Sequence, residues 1–172
     1  MIERKYLNNI LREKAINSGL CQKWQEEWKE DWDEKKMAKQ FFRGIDFYLK
    51  YKFVSTSDIK GLFDIGFLRA NGIIVDDKYS LLNPSHAILI GDSVSVIRSN
   101  GRNISSVYVT GNSKAKIIVK DNAYTLVHIL DKANVTVTAQ QPASCTVIRH
   151  SKNAIAETCG NVTVKDEFSY LR

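Results

Sequence analysis

The chain contains little that would interrupt a regular backbone and nothing that advertises chemistry. Its 172 residues include only two prolines, so the residue that breaks helices and central strands is nearly missing. The three cysteines, Cys21, Cys145 and Cys159, are an odd number without CxxC spacing. That excludes a fully paired disulfide framework and a zinc ribbon. No stretch approaches the roughly 18 consecutive apolar residues of a membrane span. Residues 1–20 are charged throughout, with no apolar run of the kind a secretory leader carries, so a cytoplasmic protein that does not engage a membrane is expected. On that expectation the sequons at Asn103, Asn134 and Asn161 carry no meaning. There is no GxSxG, HExxH, Walker loop or GxGxxG, and hence no recognisable catalytic or cofactor-binding motif. The net charge of +6 contains no block of five like charges. It permits contact with nucleic acid or an acidic partner without specifying one.

What is present is a repeat. Residues 105–149 recur on a period of ten. Small or apolar residues fall at Val107 and Val109, at Ala115, Ile117 and Val119, and at Ala123, Val127 and Ile129. They recur at Ala133, Val135, Val137 and Ala139, then at Ala143, Cys145 and Val147. Each run alternates with polar residues, the period of a half-buried strand. Each is followed by a turn cluster: Gly111-Asn112-Ser113, Asp121-Asn122, Asp131-Lys132, Gln141-Pro142. Short strands at fixed spacing predict a parallel β-solenoid with half-coils of about ten residues, two to a coil. The small inward residues predict two closely spaced sheets, with Cys145 a buried, reduced thiol. The register reads as regular only after Ser105, with irregular strands from 73 onward. Near residue 152 the inward parity slips by one, to Ala154, Ala156 and Thr158 and then Val162 and Val164. Residues 165–172 are expected to cap the open core with Phe168, Tyr170 and Leu171.

The first part of the chain carries helical spacing instead. Ile2, Tyr6, Leu7, Ile10, Leu11 and Ala15 predict an amphipathic helix over 2–17 that stops at Ser18-Gly19. A second helix over about 21–31 would align Trp24, Trp28 and Trp32 on one face. A third over about 34–51 carries Met37, Phe41, Ile45, Tyr48 and Leu49, with Gly44 marking a close crossing or a kink. Ser55-Thr56-Ser57-Asp58 starts a short fourth helix. The fold class is therefore α+β: a helical subdomain over 1–66 and a solenoid with a terminal cap over 67–172.

The half-coil reading sorts the outward residues onto two faces. One shows Tyr108, Tyr124, Leu126, His128, Leu130, Ile148 and His150, too apolar to stand in water as one patch. It needs a cover: the tryptophan or phenylalanine stripe of the same chain, the same face of a second copy, or a foreign partner. His128 and His150 fall on that face, with no Asp, Glu or Cys to complete a metal set. They read as ordinary surface or interface histidines, and no metal, cofactor or catalytic residue is assigned. The other face shows Lys114, Lys116 and Lys120, a solvated lysine face that can also bind anions. Asp76, Asp77, Asp121 and Asp131 sit at turns, where aspartate is favoured for backbone reasons.

Three stretches carry a resemblance: Phe42-Arg43-Gly44-Ile45-Asp46-Phe47-Tyr48, Gly72-Ile73-Ile74-Val75-Asp76-Asp77, and the units Asp121-Asn122-Ala123 and Asp131-Lys132-Ala133. The chain resembles a group of uncharacterised proteins of gut bacteria and their phages or mobile elements, built from a helical N-terminal part and a C-terminal β-solenoid. The likeness implies fold and carries over no catalytic residue. It implies a phage or mobile-element accessory protein acting on a host defence component, in the cytoplasm of the producing cell or of an infected host. The expected function is thus non-enzymatic: a rigid scaffold engaging a protein partner or itself. The alternative is a nucleic-acid or nucleotide binder using the lysine face and the tryptophans.

Overall fold

In a computed structural model that describes residues 4–169, two units separate at Asp64 and Ile65. Six helices are followed by eleven strands among these residues. Ile2, Tyr170 and Leu171 lie outside the described residues.

In the helical unit, α1 (Arg4–Asn17) ends where Ser18-Gly19 predicts, with Gly19 at φ +93°. Its Leu7, Leu11 and Ala15 are buried, as is Asn8. The Asn8 amide is fully used: it donates to the Lys29 carbonyl at 2.7 Å and accepts from the Trp28 indole N–H at 2.6 Å. The second helix is shorter than the 21–31 predicted. It is α2 (Gln22–Glu27), with Trp28 as its C-cap. Continuing it would put Glu26, Glu27, Glu30 and Asp31 at the negative end of the helix dipole, with Lys29 as the single basic residue among them. Trp32 therefore leaves the helix, and the predicted three-tryptophan face does not form.

The single helix predicted over 34–51 is two, α3 (Glu34–Arg43) and α4 (Ile45–Tyr51), broken at Gly44. A Cβ on Gly44 would lie 3.3 Å from the Trp24 ring, so the missing side chain makes room for the indole. α5 (Thr56–Leu62) opens with the capping box that Ser55 and Asp58 predict. The Lys14 ammonium donates to Asp58 at 2.6 Å, and with the Ser55 hydroxyl it holds that carboxyl down at about 2.

The second unit begins with α6 (Ile65–Ala70), which sequence reading treats as an irregular transition. Six residues containing Gly66 are too few to display a period. Strands β1 (Ile73–Val75), β3 (His86–Ile90), β5 (Ile104–Val109), β7 (Tyr124–Ile129), β9 (Ser144–Arg149) and β11 (Val162–Asp166) form one parallel sheet, in that order. Strands β2 (Leu81–Leu82), β4 (Val94–Ser99), β6 (Lys114–Val119), β8 (Asn134–Ala139) and β10 (Ile155–Gly160) form the other. Successive strands alternate between sheets, so every chain segment pairs with the one a full coil away. This is the predicted solenoid. Its twenty-residue register starts earlier than Ser105 suggested, at His86 opposite Ser106 and Val94 opposite Lys114. Ala87, Ile88, Leu89 and Ile90 are all buried, so no alternation marks that strand.

The interior is filled by the predicted positions. Val107, Ile117, Val127, Val135 and Val137 have no exposed surface and belong to one cluster with Ala115, Ala133, Cys145 and Val147. Each Val or Ile so buried contributes about 1.5–3 kcal/mol before chain entropy is subtracted. Burial pushes the Cys145 thiol up to about 12, where it stays protonated. The parity slip occurs as predicted: Ile155 pairs with Asn134, one residue off the twenty-residue step. Of the predicted cap over 165–172, Phe168 is half-buried and Tyr170 and Leu171 lie outside the described residues. Lys165 and Asp166 belong to β11, and the Glu167 N–H still bonds the Arg149 carbonyl.

Six strand residues and four corner residues make the period of ten. Each corner is closed by an i to i+3 bond, such as Ser113 N–H to Thr110 O at 3.2 Å and Ala133 N–H to Leu130 O at 3.0 Å. The first central residue alone has positive φ: Gly101 +68°, Gly111 +66°, Asp121 +59°, Asp131 +52°. That is the type II′ arrangement, which favours glycine there. The two aspartates offset the strain with a bond between coils. Asp121 accepts the Gly101 N–H at 2.8 Å, and Asp131 accepts the Gly111 N–H at 2.9 Å. Each corner column thus contains one glycine followed, a coil later, by an aspartate that reaches back to it.

Two consequences can be measured by urea unfolding. At Gly101 a Cβ meets nothing within 4 Å, so Gly101→Ala should lose only the left-handed strain, about 1–2 kcal/mol. At Gly111 a Cβ would lie 2.7 Å from the Gly91 carbonyl oxygen, so Gly111→Ala should cost clearly more; equal midpoints for the two variants would contradict this. The Thr125 hydroxyl is buried without a hydrogen-bond partner. Thr125→Val should therefore raise stability by about 1 kcal/mol, and a fall would refute the assignment of that hydroxyl as unsatisfied.

Candidate functional site

The chemistry-bearing residues lie on the outer faces of the two sheets, where the in-register coils align side chains in rows. On the six-stranded sheet the first row is Ile104, Tyr124 and Ser144. Beside it runs His86, Ser106, Leu126 and Thr146. The next is Ile88, Tyr108, His128, Ile148 and Lys165. Burial rises across these rows. Ile104 and Tyr124 are exposed, Leu126, Tyr108 and Ile148 are half-buried, and His128 and Ile88 are buried. Leu130, one step further along the chain, is buried, and His150 is half-buried. The apolar patch read from the sequence is therefore open only along the edge at the strand starts.

Within that face the rings of Tyr108 and His128 stack with centroids 4.7 Å apart and planes at 10°. This is the spacing of adjacent strands, about 4.8 Å, so the ladder itself sets the stack. The His128–His150 contact is of another kind. Its planes differ by 5° and its centroids are 5.2 Å apart, while Nδ1 of His128 lies 2.9 Å from Nε2 of His150. The centroid separation equals the nitrogen separation plus two ring half-widths, so the imidazoles lie edge to edge in nearly one plane. Nδ1 of His150 is 3.2 Å from the Glu167 carbonyl oxygen, which can only accept. When neutral, His150 is thereby the Nδ1–H tautomer, and its Nε2 accepts the Nδ1–H of His128. The string runs from β7 through His150 to the end of β11. It needs a neutral imidazole acceptor, so both rings cannot be charged while the bond stands. Among the described residues no group of three His, Cys, Asp or Glu could hold a metal ion.

On the five-stranded sheet Lys114 and Lys116 are exposed on β6, and Lys120 is exposed at the corner that follows. Arg98, opposite Ile118, and Lys78, opposite Val94 in the row of Lys114, extend this basic face. Sequence reading missed Arg98 and Lys78 because it took the regular repeat to begin only after Ser105. It missed Ile104 for the same reason, although its even number places it outward.

The tryptophans make contacts within the helical unit. Trp24 lies under the Arg43 guanidinium at 4.9 Å. Trp28 and Trp32 stack on each other with centroids 5.4 Å apart, and the Lys36 ammonium sits 5.7 Å from the Trp32 ring. All three are half-buried. Among the described residues no helix is long and apolar enough to cross a membrane. Comparison with protein-family models, curated proteins and solved structures finds no match.

The imidazole assignment has a direct readout. Nitrogen-15 NMR near neutral pH should find the proton of both rings on Nδ1, with a scalar coupling across the His128–His150 bond. A proton on Nε2 of His150 would overturn the geometry given above.

Proposed function

We propose that this chain is a non-enzymatic binding or assembly protein whose solenoid presents a rigid outer face to a protein partner or a second copy of itself. The observation that carries this reading is the exposed edge of the six-stranded sheet. Ile104 is 72% and Tyr124 36% exposed, and they lie side by side on register-locked strands. Half-buried Leu126 and Tyr108 continue the surface inward. Such side chains lose little freedom on binding, because the backbone beneath them is fixed by ladders on both sides. A tyrosine beside an aliphatic residue also supplies the contact type that concentrates binding energy. In keeping with the resemblance to phage and mobile-element proteins, the partner would be a cytoplasmic host protein, with a defence component the leading class.

A second reading has its own support. Lys114, Lys116 and Arg98 are exposed together on one flat sheet face, which suits contact with a phosphate backbone. The tryptophans add less to it than the sequence suggested, since Arg43, Asn8 and each other already engage them.

The readings separate in one pair of measurements. Replacing Ile104 and Tyr124 by glutamate should leave the fold intact and weaken partner capture or self-association by at least about 2 kcal/mol. Unchanged capture would sink the first reading. Retention on heparin or DNA, with a salt slope that falls by about 0.9 for each of Lys114, Lys116 and Lys120 replaced by alanine, would establish the second.

A further inference from the structure

The last coil exposes what the other coils hide. Internal strands keep their inward positions buried, but on β10 and β11 the inward positions Thr158 and Val164 are exposed, Val164 by 43%. Ala156 and Val162 are only partly buried against the core. β10 pairs with β8 alone and β11 with β9 alone. Their remaining backbone groups can be assigned. Ile155 donates to the Ala133 carbonyl just before β8, Asn161 to the Ala139 carbonyl at the end of β8, and Glu167 to Arg149 on β9. Because strand residues alternate sides, the odd-numbered amides face inward along the stack. Ala156 and Thr158 on β10, and Val162 and Val164 on β11, then aim N–H and C=O outward from the end of the solenoid.

We infer that this end is a self-association surface, on which a second copy stacks head to head about a two-fold axis parallel to the strands. That axis lays β10 of one copy antiparallel to β11 of the other, twice. It also fixes the register, because β10 and β11 flank the corner at Asn161, and residues equidistant from it come together. Thr158 meets Val164 of the second copy, inward residue over inward residue, with their outward N–H and C=O groups bonding each other. Glu157 meets Lys165 of the second copy on the outer faces, in a pair without backbone bonds, where side chains approach most closely. Both are exposed and have no ion-pair partner among the described residues. The match of charge in the one register that the symmetry allows selects a second copy as the occupant. This surface is separate from the Ile104–Tyr124 edge and stands whether or not that edge binds a partner.

Sedimentation of the full chain over a concentration series should give a reversible monomer–dimer equilibrium. Glu157→Lys should weaken it by about tenfold through two like-charge pairs, and Glu157→Lys with Lys165→Glu should restore it. In the same register Cys159 lies opposite Thr163 of the second copy. Thr163→Cys under mild oxidation should therefore yield a covalent dimer, lost again when Cys159→Ser is added; circular dichroism checks that each variant is folded. A chain that stays monomeric at every concentration overturns the proposal. So does a folded Glu157→Lys variant that dimerises as well as the parent, or oxidative cross-linking through Cys159 alone.

Discussion

The structure depends on one constraint: each six-residue strand hydrogen-bonds to the strand one coil away, in parallel and in register. Everything else follows from keeping that register. A corner has four residues to reverse direction, and it must do so with the same geometry at every level, or the next strand slips and turns its apolar side to water. One corner turns at the cis Gln141-Pro142 bond, while those before it at Gly91, Gly101, Gly111, Asp121 and Asp131 use a left-handed residue at the same place. Glycine adopts it without strain, and aspartate adopts it while accepting a backbone N–H from the coil below. Gly101 with Asp121 and Gly111 with Asp131 are two instances of one device, on opposite corners.

The same register explains the outer faces. Side chains one coil apart lie in a row at the spacing of the strands, so residue types are summed along the stack rather than mixed. Tyr108 stacks on His128, and Arg98 shares a sheet face with Lys114 and Lys116, although each pair of neighbours belongs to different coils. A flat, register-locked surface of this kind is suited to recognition by shape. After His86 it keeps a step of twenty until the last coil, where the inward parity shifts.

Much of this was legible in the chain. The period of ten, the inward positions between 105 and 149, the buried thiol of Cys145, the slip near residue 152, the helix start at Ser55 and the close approach at Gly44 all follow from local rules, although the helix that Gly44 interrupts reads as one. Other features were hidden for identifiable reasons. The strand at Ala87–Ile90 was legible as a strand, but burial on both faces leaves it no alternation and hid its twenty-residue register. The helix at Ile65–Ala70 is too short to show a period. The tryptophan helix ends early because its own carboxylates oppose its dipole, a local effect that spacing alone overrode.

What the sequence by itself determined is the repeat: which residues face inward, where the corners fall, and that helices precede strands. These depend on side-chain periodicity and backbone preference, which act over a few residues. The tertiary structure alone decided which distant residues became neighbours and how much of each face stayed open. The linear His128–His150–Glu167 string joins residues 22 and 17 positions apart. The burial of Leu130 beside the exposure of Ile104 cannot be read from either residue's neighbours in the chain. Contact and exposure are properties of the assembled stack, because the ladder, not the sequence interval, sets the distance between coils.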